Sequence, residues 1–197
     1  MPQPVVLRGE RLTLSSPTLA DIDRIADVCT DPSVARWTTV PSPYRREHAV
    51  GFVTSVVPDG WASGRVCTWA LRRDDVLIGM VSIGDIHERQ GEIGYWLAPE
   101  ARGTGAMSEA VALAIAYGFG ASPDGLALDR IVWRALVGNA ASAAVARRAG
   151  FRWDGVVPEG AEQRGARLDE WRGTLMSDDP REPSGDWPDL SYVQTAL

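Results

Sequence analysis

"EIGYWLAPEARGTGAMSEA", residues 92–110, decides the fold of this chain. Its first half is apolar and aromatic and reads as a strand that stops at Pro99. Its second half, from Ala106 through Met107 to Ala110, is a run of helix formers. Between them stand Arg102, Gly103, Thr104 and Gly105. The first N–H groups of a helix have no internal partner, and with the macrodipole they favour an anion. Two glycines clear the approach to those groups, and Arg102 adds a charge-assisted contact. A Walker loop needs Gly-Lys-Ser/Thr after four residues, which is absent. A dinucleotide fingerprint needs a third glycine where Ser108 stands, and strands that alternate with helices from the start. A plain strand-to-helix turn also fits the pattern.

The flanks give the element order. "RLTLSS" (11–16) alternates like a strand, and Thr18 caps a helix carrying Leu19, Ile22, Ile25, Ala26 and Cys29 at helical spacing. Residues 31–64 mix prolines with a helical stretch from Arg45 to Val57. "VCTWALRR" and "VLIGMVSIGDI" are strands joined at Asp74-Asp75, and residues 91–98 form a third. Residues 104–120 read as a helix, 129–136 as a strand, and 139–150 as a helix closed by Gly150. "FRWDGVV" and "LDEWRGTLM" are the last strands, and Trp69, Trp133, Trp153 and Trp171 fill core from strands. Consecutive strands imply antiparallel pairing, whereas strand–helix–strand across 91–135 implies a parallel crossover. The expected class is α/β (α+β), a mixed, mostly antiparallel sheet flanked by helices. One domain is expected over residues 1–177, followed by a Pro/Asp-rich tail over 178–197.

Composition narrows the function. The 197 residues carry 26 acidic and 20 basic side chains, a net charge of −6, which opposes a nucleic-acid binder. Two cysteines, Cys29 and Cys67, and two histidines, His48 and His87, argue against a zinc site or disulfide framework. No signal-like start or membrane-length apolar run is present, so a cytoplasmic location is expected, with no membrane partner.

Together, "EIGYWLAPEARGTGAMSEA" and the later "NAASAAVARRAGF" resemble the GCN5-related N-acetyltransferase (GNAT) superfamily, in particular its RimJ/RimL-like branch, over roughly residues 8–177. The resemblance implies that the sheet splays at the cofactor site and that backbone amides of Gly103, Thr104, Gly105, Ala106 and Met107 hold the pyrophosphate of acetyl-CoA, with Arg102 beside them. Arg102 and Gly105 match the family pattern, while Met107 stands where Gly or Ala is usual. It also implies main-chain contacts to pantetheine from Leu97 and Ala98. The glycine loop is thereby assigned to acetyl-CoA, with no metal.

Transfer to an amine must remove a proton from nitrogen and supply one to the departing thiolate. Glu92 shares a strand face with Gly94 and Trp96 and is the candidate base. The tyrosine that many relatives use as acid is replaced by Ala146. Ser142, in the Asn-x-x-Ser pattern begun by Asn139, is the alternative donor, or else a helix residue bonding backbone. Asn139 is a helix cap, a cofactor ligand, or both. Trp37, Tyr44 and Trp61 lie in irregular segments and are candidates for the acceptor pocket.

The expected function is acetyl transfer from acetyl-CoA to a primary amine, directly in a ternary complex. The acceptor is an amine-bearing small molecule or a protein N-terminus, and the resemblance is compatible with a homodimer. The rival readings are a succinyl-CoA-dependent enzyme, with Arg36, Arg45 or Arg46 near the acyl tail, and a non-catalytic CoA-binding or interaction module.

Overall fold

Turn chemistry sets the centre of the sheet. In the computed structural model, which describes residues 3–185 and 187–190, Asp74 and Asp75 take φ of 49° and 63°. This left-handed pair matches the strand twist in a two-residue hairpin and joins β3 (Cys67–Arg73) to β4 (Val76–His87). Glu88 and Arg89, also at positive φ, return the chain into β5 (Gln90–Leu97). Around this meander lie β1 (Leu7–Arg8), β2 (Thr13–Ser15), β6 (Arg130–Leu136), β7 (Arg152–Gln163) and β8 (Ala166–Met176). The eight strands form one sheet in the order β1-β2-β3-β4-β5-β6-β8-β7. β5 and β6 pair in parallel across helix α5 (Ala106–Phe119), and the other neighbours are antiparallel. The expected mixed sheet is thus the observed one.

Helices cover both faces. α1 (Ile22–Cys29), α2 (Pro32–Trp37) and α3 (Arg46–Gly51) bury Ile22, Ile25, Val34 and Ala49 against Ala70, Leu77 and Met80. Asp21 pins the start of α1 by accepting both Nη groups of Arg72 (2.8 and 2.6 Å) and the Thr18 amide (2.7 Å). A widened turn at Phe52–Val56 carries α3 into α4 (Val57–Ser63), whose Trp61 enters the opposite core. There α5 lies close on the sheet, because Ala106, Ala110 and Ala114 put a stripe of methyl groups against it, each at most 1% exposed. α6 (Ala140–Arg148) adds Ala143 and Ala146 to the same core.

Three expectations are corrected. A short β1 precedes the strand read at 11–16, too brief to carry a periodic signal. β7 runs to 12 residues, on to Gln163 and past its expected end at Val157, while β8 begins at Ala166 and ends at Met176 as expected. Gly155, Pro158 and Gly160 read as breakers, yet register shifts at Trp153/Gly155 and Val157/Ala161 absorb them on an edge strand, where a missing N–H is harmless. The packed chain also extends beyond residue 177. Trp187, 8% exposed, stacks on Trp133 and Trp153 and donates its indole N–H to the Phe151 carbonyl (2.8 Å). Residues 186 and 191–197 of the expected tail lie outside the described residues.

Trp187→Ala therefore removes a core aromatic, not a tail residue. The expected cost is about 3–5 kcal/mol of unfolding free energy, read from urea denaturation. A change below about 0.5 kcal/mol, the range of surface substitutions, would return the segment to the surface.

Candidate active site

The parallel ladder between β5 and β6 covers only Gln90–Ile93 against Arg130–Trp133. Beyond it β5 stays with β4 as far as Leu97, and β6 stays with β8 as far as Leu136. The two strands part, and a groove of about 980 Å³ opens at the divergence. Tyr95, Leu97, Met107, Ser142 and Trp37 are among the residues that line it.

The Gly103–Gly105 loop forms one wall. Gly103 and Gly105 sit at φ +73° and +80°, and a Cβ at Gly103 would meet nothing within 4 Å. The first turn of α5 presents Ala106, Met107 and Ser108 to the groove, with Gly105 as its N-cap. Arg102 lines the groove too, its guanidinium donating to the Leu97 carbonyl (3.3 and 3.2 Å). Thr104 faces away: its hydroxyl donates to Ala101 and accepts from Arg73, and its carbonyl accepts from Arg11. Arg11, paired through Nε with Glu109 at 2.9 Å, was not singled out in the sequence because it comes from the β1–β2 turn. Ala98 departs from expectation. Its N–H donates to Ile78 (2.8 Å), its carbonyl accepts from Ala101 (3.0 Å), and its side chain is fully buried. Both main-chain groups are committed to the fold, which leaves Leu97 as the groove-lining member of that pair.

The opposite wall is α6. Asn139 caps it by accepting the Ser142 amide (3.2 Å) and also lines the groove. The Ser142 hydroxyl bonds no backbone. It accepts the indole N–H of Trp133 (3.0 Å) and donates to the Tyr95 hydroxyl (3.1 Å), which in turn donates to the Ser142 carbonyl (2.9 Å). Burial, partly offset by hydrogen bonds from Ser142 and Trp133, raises the Tyr95 pKa. Tyr95 is a groove-lining residue that the sequence pattern did not single out. Its signal was the alternation Ile93, Tyr95, Leu97, which turns those three toward α5 and α6.

Glu92 occupies the other face of β5, the face whose Trp96 packs with the α1–α3 core. Its carboxylate lies 3.2 Å from Arg134 Nε and is one-third exposed (34%). Burial raises its pKa above the ordinary carboxylate value; Arg134 and Arg172 oppose the rise, while Glu170 and Asp85 add to it. The thiols cannot compete as nucleophiles. Burial lifts Cys29 to about 11 and Cys67 to about 12, and both side chains are in the core.

The three aromatic candidates separate. Trp37 lines the groove. Tyr44 lines a second cavity of about 440 Å³, with Cys29, Arg36 and Arg164. Trp61 is a core residue, 1% exposed, edge-on to Trp69 at 5.1 Å and donating to the Thr68 carbonyl (3.2 Å). Its helix continues through the widened turn, which the sequence pattern left irregular. Among the described residues no His/Cys/Asp/Glu group is arranged to hold a metal, and no helix is long and apolar enough to cross a membrane.

Comparisons agree with this architecture. The acetyltransferase (GNAT) domain family model matches residues 11–152. "Putative ribosomal N-acetyltransferase YdaF" of Bacillus subtilis (strain 168) is 35% identical over 111 residues, which span 51% of this chain and 58% of that relative. "Uncharacterized N-acetyltransferase YoaA" of the same organism is 27% identical, covering 83% of this chain and 92% of its own length. Among solved structures, Mycobacterium smegmatis RimJ in complex with CoA-disulfide superposes with a TM-score of 0.77 at 20% identity, over 88% of this chain and 86% of that one. The diverging strands, the glycine-flanked helix start and the family match lead to one conclusion: the chain belongs to the GNAT family of acetyltransferases.

Proposed function

We propose that the protein transfers an acetyl group from acetyl-CoA to a primary amine by direct attack in a ternary complex. What supports this reading is that β5 has groups suited to opposite proton traffic on its two faces, Glu92 within the parallel ladder and the Ser142–Tyr95 pair in the groove beyond it. Glu92 lies on one face, and Ser142 with Tyr95 on the other. The amine approaches on the Glu92 face, where the carboxylate takes its proton directly or through a water. The new C–N bond forms as the C–S bond breaks. Sulfur leaves on the Ser142 face, where the Ser142 hydroxyl, held between the Trp133 N–H and the Tyr95 hydroxyl, is assigned to give the thiolate a proton that solvent then replaces. The thiol pKa near 8.5 keeps that second task modest.

Acetyl-CoA supplies the activated acyl group. The amides of Gly103, Gly105, Ala106 and Met107 are assigned to its pyrophosphate, with Arg102 and Asn139 beside them and the Leu97 main chain to the pantetheine arm. The residues fit such a ligand. The loop backbone is open where a Cβ at Gly103 would stand, and Met107 lies in the groove with its amide at the helix start. The likeness to YdaF, named a ribosomal N-acetyltransferase, supports a protein acceptor such as an N-terminus, with an amine-bearing small molecule as the alternative. We further assign the enzyme to the cytoplasm, where acetyl-CoA and nascent N-termini meet; a homodimer is compatible with this role.

Gly105→Val forces a β-branched residue to φ +80° against Arg11. Loop strain of about 1–3 kcal/mol is expected to weaken acetyl-CoA binding about 10-fold or more by calorimetry, and unchanged affinity removes the loop from the site. Glu92→Gln is expected to lower kcat about 10²–10⁴-fold in a thiol-release assay and abolish the acid limb of the pH–rate profile. Because the Glu92 pKa is raised, activity rises with pH through a limb above the usual carboxylate range. Arg134→Gln removes a cation that favours the carboxylate, so that limb moves further toward alkaline pH. A limb indifferent to both changes excludes Glu92 as base. Ser142→Ala is expected to cost about 10–100-fold in kcat at little change in acetyl-CoA affinity, and Tyr95→Phe less. An undiminished kcat with a lowered Tm makes the pair structural and water the proton donor.

A further inference from the structure

The second cavity lies between the end of α1, α2, the 42–44 segment and the tip of the β7–β8 hairpin. Its polar lining is Arg36, Arg164, Tyr44, Ser42 and Thr30, and no carboxylate is among its lining residues. In a chain with six more acids than bases, an acid-free cavity holding two guanidinium groups runs against the composition. Among the described residues neither arginine has a carboxylate partner that would spend its charge. Arg36 stacks over the Trp37 ring at 4.6 Å, and Arg164 donates to the Val40 carbonyl (3.1 Å).

The cavity is built and braced. Gln163, at the hairpin tip, donates to the carbonyls of Arg36 (3.1 Å) and Thr38 (2.8 Å), so the tip that carries Arg164 is tied to the helix that carries Arg36. Tyr44 and the buried Cys29 are both in its lining. It also adjoins the groove: α2 supplies Arg36 to one and Trp37 to the other, and the Arg36–Trp37 stack is the shared wall.

We infer that this cavity is a carboxylate subsite, in which Arg36 and Arg164 hold an acidic group of a substrate whose reacting end lies in the groove. The inference rests on the acyltransferase reading. Two substrates bring such a group: an acceptor with an acidic residue next to its amine, or a dicarboxylic acyl tail on the donor. A guanidinium donates in a planar fork that suits a carboxylate, and the Ser42 hydroxyl is a neutral donor in the same lining.

The test uses the full chain and four reactions: Ala-Asp and Ala-Asn amide peptides as acceptors, each with acetyl-CoA and with succinyl-CoA. The expected result is a kcat/KM preference for the acid-bearing substrate in one arm, which identifies the source of the carboxylate. Arg36→Gln and Arg164→Gln are each expected to shrink that preference about 5–30-fold, a value between exposed and desolvated charge pairs, while Arg36→Lys, which keeps the charge but not the planar fork, retains part of it. Equal kcat/KM for acidic and neutral substrates in both arms overturns the subsite, and so does a preference that both Gln variants keep. Absence of thiol release with every pair refutes the acyltransferase reading instead. Calorimetric titration with succinate then decides the subsite: heat that Arg36→Gln abolishes upholds it, and no heat overturns it.

Discussion

Four residue pairs of parallel ladder, and no more, are what the rest of this molecule depends on. Each of the two central strands is committed on its outer side to an antiparallel partner, β5 to β4 and β6 to β8. The ladder between them ends after Ile93 and Trp133, while each strand runs on along its antiparallel partner. Ending it exposes backbone along Gly94–Leu97, where neither helix nor strand supplies partners on the β6 side. A polar ligand with its own donors and acceptors is the natural occupant of such an edge. The start of α5 and the Ser142 end of α6 flank the opening because both helices connect directly to the strands that diverge.

How far the sequence revealed this depends on the range of the forces involved. The Gly103–Gly105 loop was legible because positive φ and a helix start are written in adjacent residues. The crossover was legible because a helix between two strands leaves few topologies. Tyr95 was hidden because its partner, Ser142, is 47 positions away, and only packing brings the two hydroxyls together. Ala98 was misplaced because a free amide on a strand end is decided by the neighbouring strand, here Ile78. The two groups of the β7 sequence that break strands, around Gly155 and Pro158–Gly160, say nothing of the edge position that tolerates them. Trp61 and Trp187 share one cause: an isolated tryptophan in an irregular sequence carries no periodicity to say which way it faces.

The charge pattern has its own logic. All 20 basic residues are arginine, and the chain has no lysine. A guanidinium stays protonated and is a poor nucleophile, whereas an exposed lysine amine would compete for the acyl group. The polar strip around Glu92 illustrates the benefit: Arg134 and Arg172, opposite each other across β6 and β8, stabilise nearby carboxylates without offering an acceptor amine.

Trp133 has two neighbours of different kinds. Its N–H holds the Ser142 hydroxyl, and its ring lies 5.4 Å from that of Trp187, which stacks in turn on Trp153. Indole emission responds to hydrogen bonding at the ring nitrogen and to aromatic contact. One fluorophore therefore senses both the groove wall and the C-terminal segment packed behind it, and the protein carries an intrinsic optical probe of events at the Ser142 end of its groove.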